Sequence, residues 1–324
     1  MTVPAARPTG WGDPVAVAPS PDDVRAAARR LAGRVERTRL TPFNDRILLK
    51  DETVQPTGSF KVRGVLNWTR SLSGEERSRG FSTFSAGNTA LALGYAARML
   101  GTSCRSLLPD YAPGVKVEAL AAAGVETRLV PFSEMAGWLF SASWKHEPWA
   151  FLHPWAEPLM IAGHATIGLE LAEDLPDVKT VYVPVGGGAL IAGVASALKA
   201  LKTGVRVIAV QTESYPALRE SFALGRPTWV EHEATICDGV AVPFTTDQMF
   251  PLLRLLVDRV VVVSEAGTRQ AVRRLWLEAG IRAEGAGALA LAAALADDEP
   301  GPAVCLVTGA NIEPELHSSI VGLQ

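Results

Sequence analysis

The chain has little cysteine and little lysine. Its three cysteines, Cys104, Cys237 and Cys305, are odd in number and far apart, with no CxxC pair. That spacing excludes a disulfide framework and offers no zinc or other metal site, so reduced, buried thiols are expected. Lysines number seven against 24 arginines, no basic run occurs and the net charge is −3. A nucleic-acid footprint needs clustered cations, so nucleic acid is not expected as a partner. No stretch reaches about 18 uninterrupted apolar residues, and the N-terminus lacks the apolar run of a secretory signal. A cytoplasmic protein that spans no membrane and acts on a small molecule is therefore expected.

What is present is a large core. With 324 residues, 48% of them hydrophobic, the chain is long enough for two lobes at roughly 100 to 200 residues each. Residues 1–20 are rich in Pro, Gly and Ala without a period and are read as a flexible N-terminal arm. After it, Ser20-Pro21-Asp22 signals a helix start, with proline at the first helical position and acids in the first turn. Short apolar runs then alternate with helical stretches. The runs "RILLK", "GFSTFSA", "SCRSLLP", "ETRLVP", "TVYVPVGGG", "VRVIAVQ", "RVVVVS" and "AVCLVTG" predict strands buried on both faces. Such alternation predicts an α/β protein with mainly parallel sheets. The aromatic stretch 138–155, "WLFSASWKHEPWAFLHPW", breaks the rhythm and is read as the return between lobes.

Seven lysines make the search for a nucleophilic amine short. Lys199 and Lys202 close a helix, Lys179 lies in a loop, Lys116 opens a helix on a polar face and Lys145 sits among aromatics. Lys50 ends a strand beside Asp51 and Glu52. Lys61 is different: in "QPTGSFKVRG" it follows a Thr-Gly turn and opens a helix, where the dipole disfavours a cation. Burial there would lower its pKa and expose the neutral amine that Schiff-base chemistry needs. An ordinary surface lysine is the competing reading.

Three further turns can hold a ligand. "VPVGGGALIAG" places Gly186, Gly187, Gly188 and Ala189 between a strand and a helix, where backbone amides can cradle a phosphate; a tight turn without ligand would look the same. "FSAGNTALALG" places Ser85, Ala86, Asn88 and Thr89 at another helix start, suited to a carboxylate or phenolate oxygen, although helix capping by Asn88 would also explain it. "CLVTGANI" delivers Thr308 to the carboxyl end of a strand, the edge at which open α/β sheets bind ligands.

Lys61, "SAGN", the glycine loop and "TGAN" together resemble the fold type II pyridoxal-phosphate enzymes, and within them the threonine/serine ammonia-lyases, or dehydratases. The resemblance runs from about residue 20 to the C-terminus and includes "APGVKVEALAAAGVE", "FLHPWAEPLMIAGHATIGLE", "TICDGVAV" and "AEGAGALALAAAL". It implies the tryptophan synthase β-like fold: two open, mainly parallel sheet domains with pyridoxal 5'-phosphate in the cleft between them. The division expected is 21–78 with 154–324 as the large domain and 79–153 as the small one. The resemblance further implies that Lys61 carries the cofactor, Asn88 contacts its phenolic oxygen and the loop from Gly186 to Ala189 binds its phosphate. Thr308 would meet the pyridine nitrogen, and Ser85, Ala86, Asn88 and Thr89 would line the pocket for the substrate carboxylate. The implied reaction is β-elimination of a small amino acid, L-threonine or L-serine, to a 2-oxo acid and ammonia, by a homodimer or higher homo-oligomer.

Several positions depart from the dehydratase pattern. Ala189 replaces the usual fourth glycine of the loop, and Thr89 the usual histidine after the asparagine. "LLKDETVQPTGSFK" and "GNT" are also similar to threonine synthases, so replacement remains an alternative, as does racemisation. In related racemases a serine precedes the Gly-Asn pair, where this chain has Ala86. Gln211 stands where some relatives have a metal-binding glutamate, which argues against a divalent cation. No regulatory domain is expected beyond residue 324. A catalytically silent binding protein has no chemical need for Lys61, Asn88, the glycine loop and Thr308 together.

Overall fold

The computed structural model describes residues 16–201 and 204–322. Most of the expected arm lies outside the described residues. From Ala16 the chain is anchored: Ala16 is buried and its N–H donates to the Gln248 carbonyl at 2.9 Å. Ser20 caps the helix Pro21–Leu31 through a reciprocal pair with Asp23, and Pro21 occupies the first turn, as the sequence predicts.

Among the described residues ten strands form two sheets. β1 (Leu40–Pro42) and β2 (Ile47–Asp51) begin the larger one. β3 (Phe81–Phe84), β4 (Cys104–Pro109), β5 (Glu126–Val130) and β6 (Ala150–Phe151) make a four-stranded sheet in the order β5-β4-β3-β6, parallel throughout. β7 (Thr180–Pro184), β8 (Arg206–Thr212), β9 (Arg259–Val263) and β10 (Ala303–Val307) complete the six-stranded sheet, ordered β1-β2-β10-β7-β8-β9. Only β1 is antiparallel to its neighbour. All eight apolar runs are strands. β7 and β10, at the centre, are buried along their whole length, but β5, at an edge, is largely exposed and β9 only half-buried. Central position, and not composition alone, decides which runs lose both faces to the core.

Helices cover both faces of the large sheet. Pro158–Asp174 and Ala189–Leu201 share one core with β7 and β8, and Glu265–Ala279 with Gly285–Leu295 share the other. The helix Lys61–Ser71 contributes Val62, Val65, Leu66 and Trp68 to the core of the small sheet. Its other side touches Pro158–Asp174 so closely that a Cβ on Gly163 would stand 2.5 Å from the Arg63 carbonyl oxygen. The helix that starts at Lys61 therefore joins the two sheets. The turns singled out by sequence all leave the carboxyl ends of parallel strands, the edge at which such sheets bind ligands.

Candidate active site

The turn before Lys61 is held by the turn that leaves the neighbouring strand β10. Gly58, at φ +68°, turns the backbone so that Phe60 N–H donates to the Thr308 carbonyl at 3.0 Å. Ala310 N–H donates to the Gly58 carbonyl at 2.8 Å, and Ser59 pairs with Gly309 in an antiparallel bridge. Lys61 is then the first residue of its helix. The residue is part-buried, and its Nζ donates to the Pro154 carbonyl at 3.5 Å and lies 5.1 Å from the Phe60 ring centre. Among the described residues no carboxylate comes within ion-pair distance. Desolvation lowers the amine to about 8, against a smaller upward pull from the Glu284 carboxyl. At pH 7 that leaves roughly a tenth of the amine neutral, against less than about one part in a thousand for an ordinary lysine. The Phe60 ring packs edge-on against the fully buried imidazole of His164, 4.8 Å away.

The glycine loop leaves β7 beside this amine's carbonyl partner. A Cβ on Gly187 would stand 2.7 Å from Trp155, the residue after Pro154. Gly188 has φ +98°, open to glycine at no steric cost. Ala189 opens the thirteen-residue helix Ala189–Leu201. Among the described residues the N–H groups of Gly186, Gly187, Gly188 and Ala189 donate to no protein acceptor. Four free amides and a positive helix end make an anion cradle.

Asn88 faces this edge from the small sheet. Gly87, not Asn88, is the N-cap of Asn88–Leu100, and no side chain caps that helix. The Asn88 side chain reaches instead across the cleft: its Nδ2 donates to Glu284 Oε1 at 2.9 Å, and its Oδ1 accepts from Asn311 Nδ2 at 2.6 Å. Helix capping is thereby ruled out as the reason for asparagine here. Ser85 Oγ accepts from Gly87 N–H at 3.2 Å, which shapes the loop, and Ala86 packs on the small-sheet core. Thr89 is buried behind them, while a Cβ on Gly87 would meet nothing within 4 Å, so the loop itself borders open space. Thr308 is buried at the end of β10.

These turns are those of a known family. The sequence profile described as "Pyridoxal-phosphate dependent enzyme" matches residues 17–309. The chain belongs to that family. It is 39% identical over 316 residues to the L-threonine ammonia-lyase of Thermotoga maritima, covering 93% of this chain and 77% of that one. It is 38% identical over 323 residues to the catabolic L-threonine dehydratase of Escherichia coli strain K12, with 95% and 97% covered. The crystal structure of the T.th. threonine deaminase superposes with a TM-score of 0.83 at 34% identity, over 91% of this chain and 99% of that one. The maize serine racemase superposes with a TM-score of 0.86 at 30% identity, over 94% and 98%.

Pyridoxal phosphate fits the residues present. Its phosphate matches the four free amides, and its aldehyde needs an amine that loses its proton near neutral pH, as Lys61 does. Two residues of the site were not foreseen. Glu284 is buried with its carboxyl raised to about 8, first by burial and then by Asp238, and Asn311 lies at the end of "TGAN". Gln211, by contrast, serves the fold: its Oε1 accepts from the Leu218 and Arg219 amides at 2.9 and 3.0 Å. Lys116, read as a polar helix-face residue, pairs across the cleft with Asp238.

Proposed function

We propose that the chain is a pyridoxal-phosphate-dependent ammonia-lyase acting on L-threonine or L-serine. The observation that carries this reading is Lys61: a desolvated amine without a carboxylate partner, whose carbonyl acceptor Pro154 precedes the Trp155 that packs on Gly187. Relatives named for L-threonine, similar over nearly the whole chain, support the substrate class. Bound pyridoxal phosphate supplies an electron sink for charge at the substrate Cα.

The rest falls to the protein. Lys61 would hold the aldehyde carbon and, as a free amine, would take the substrate Cα proton as general base. The loop from Gly186 to Ala189 would anchor the phosphate, Asn88 would address the phenolic oxygen, and Thr308 would give the ring nitrogen a neutral hydroxyl partner. The amides and side chains around Ser85, Ala86, Asn88 and Thr89 receive the substrate carboxylate. The β-hydroxyl leaves as water, and the released enamine takes up water to give 2-oxobutanoate or pyruvate with ammonia. Incubating L-threonine, L-serine and other β-substituted amino acids with the enzyme, and scoring 2-oxo acid and ammonia, tests the reaction. Substituted amino acids without ammonia would replace this reading with β-replacement.

The enzyme works as a homo-oligomer in the cytoplasm, which sedimentation and cell fractionation check. The domain division proposed is a large domain of 21–78 with 154–324 and a small one of 79–153; the two separate sheets support it, and the helix Lys61–Ser71, on the large-domain side of the bound, packs on the small-sheet core. Limited proteolysis at residues 72–80 and 152–157 tests the boundaries. Among the described residues no helix is long and apolar enough to cross a membrane.

A further inference from the structure

Asn88 can serve a ring oxygen only if its amide nitrogen, not its amide oxygen, faces the cofactor. An isolated asparagine has no reason to prefer one orientation, since the two differ by a half-turn of the terminal torsion. In this structure the orientation is set from the backbone outward. The Thr57 carbonyl can only accept, and Asn311 Nδ2 donates to it at 3.0 Å. That fixes the Asn311 amide, whose nitrogen also donates to Asn88 Oδ1 at 2.6 Å. With its oxygen taken, Asn88 must turn Nδ2 towards Glu284 Oε1, 2.9 Å away. One Nδ2 hydrogen is used there and the other is left for the cleft. Gly58 belongs to the same arrangement, because a Cβ on it would stand 2.7 Å from Asn311 Oδ1. Glu284 is itself fixed by its N–H, which donates to the Gly309 carbonyl at 2.9 Å.

We propose that Asn311 and Glu284 are positioning residues that lock the Asn88 amide with its free N–H towards the ring oxygen of pyridoxal phosphate. The relay runs from the Thr57 carbonyl, in the turn before Lys61, through Asn311 and Asn88 to Glu284, so one chain of hydrogen bonds ties that turn to the helix start that carries Asn88. It rests on the reading that Asn88 contacts the cofactor, and the test separates the two.

The measurements are the dissociation constant of pyridoxal phosphate, the position of the bound cofactor's visible band, and the melting temperature without cofactor. Asn88→Ala is expected to raise the dissociation constant about tenfold and shift the band, as loss of one hydrogen bond to a charged oxygen would. Asn311→Ala and Glu284→Ala should do the same, while Glu284→Gln, which keeps an acceptor, should stay within about twofold of the parent. In an Asn88→Ala background the Asn311 change should cost less than about twofold, because its effect passes through Asn88. Asn311→Asp, of equal size but unable to donate, replaces the alanine variant if that variant melts early. If Asn88→Ala changes neither affinity nor band, the contact itself is wrong and the relay falls with it. If Asn88→Ala weakens binding but Asn311→Ala does not, or if the two effects simply add, the relay alone is overturned.

Discussion

Arg63 Nε donates to Glu52 Oε2 at 2.7 Å, with neither side chain exposed to solvent. The remaining Arg63 donors reach Glu170 Oε1 at 2.6 Å, Thr166 Oγ1 at 3.2 Å and the Glu36 carbonyl at 2.9 Å. Lys50, also fully buried, donates to Glu170 Oε2 and to the Thr38 carbonyl, each at 2.6 Å. Two cations and two carboxylates thus balance inside the protein, two residues from Lys61. Removing one member leaves an uncompensated buried charge. Arg63→Met should lower stability by about 3 to 5 kcal/mol, read as a fall in the urea midpoint at unchanged slope. Arg63→Lys should not restore it, since an ammonium group cannot serve both carboxylates in the plane of a guanidinium. Near-parental stability for either variant would show that the network contributes little.

The glycine loop makes a second, more local claim. A Cβ on Gly187 would press on the Trp155 side chain at 2.7 to 2.9 Å. Trp155 is buried against Phe84 and Phe244, with ring centres 5.2 and 5.9 Å away, and has little room to yield. Gly187→Ala should therefore displace the loop and weaken pyridoxal-phosphate binding by roughly tenfold or more, of the order expected for a strained backbone position. Equilibrium titration with the cofactor measures it, and unchanged affinity would show that the loop does not carry the phosphate.

These two sites differ in how much of them the sequence shows. The Lys61 turn, the glycine loop and "SAGN" are each local, and a turn chemistry read over ten residues survives folding unchanged. Glu284 and Asn311 meet Asn88 from 196 and 223 residues away, a pairing that no local pattern carries. Lys50 shows the same limit from the other side. Beside Asp51 and Glu52 it looks like an ordinary strand end, yet it is the more deeply buried lysine, because Glu170 arrives 120 residues later to neutralise it. In the sequence, the preceding Thr-Gly turn and the helix start separate Lys61 from it. Two strands were also illegible: β1 has three residues and β6 two, too few to show a period of two. β6 hides inside the aromatic stretch and pairs with β3 of the small sheet.

Glu284 gives stability a pH dependence of known sign. Its carboxyl is raised from 4.5 to about 8, first by burial, so the folded protein keeps a proton that the unfolded chain has lost. A raised acid stabilises the fold below its unfolded pKa, and that contribution fades as pH rises towards the folded value. Glu284→Gln removes the titration. The variant should gain on the parent as pH goes from 5 to 8, by an amount on the order of a few kcal/mol. Chemical unfolding of both proteins without cofactor at several pH values checks this. A constant difference across that range would mean that Glu284 is ionised in the folded state.

The last expectation concerns the face of the site opposite Lys61. Racemisation needs a second acid or base there, so that a proton leaves on one side of Cα and returns on the other. The residue before Gly87-Asn88 is Ala86, whose methyl group packs on the small-sheet core and has no proton to exchange. Ser85 is adjacent, but its Oγ accepts from the Gly87 amide at 3.2 Å and so is engaged in the turn. Successive side chains leaving a strand point to opposite faces, so a one-residue shift does not substitute. The parent enzyme should convert L-serine to pyruvate without forming D-serine, despite its similarity in fold to the maize serine racemase. Ala86→Ser should introduce some D-serine at the expense of pyruvate. Chiral chromatography of partly converted L-serine decides the matter, and D-serine from the parent above the enzyme-free control would require another group on that face.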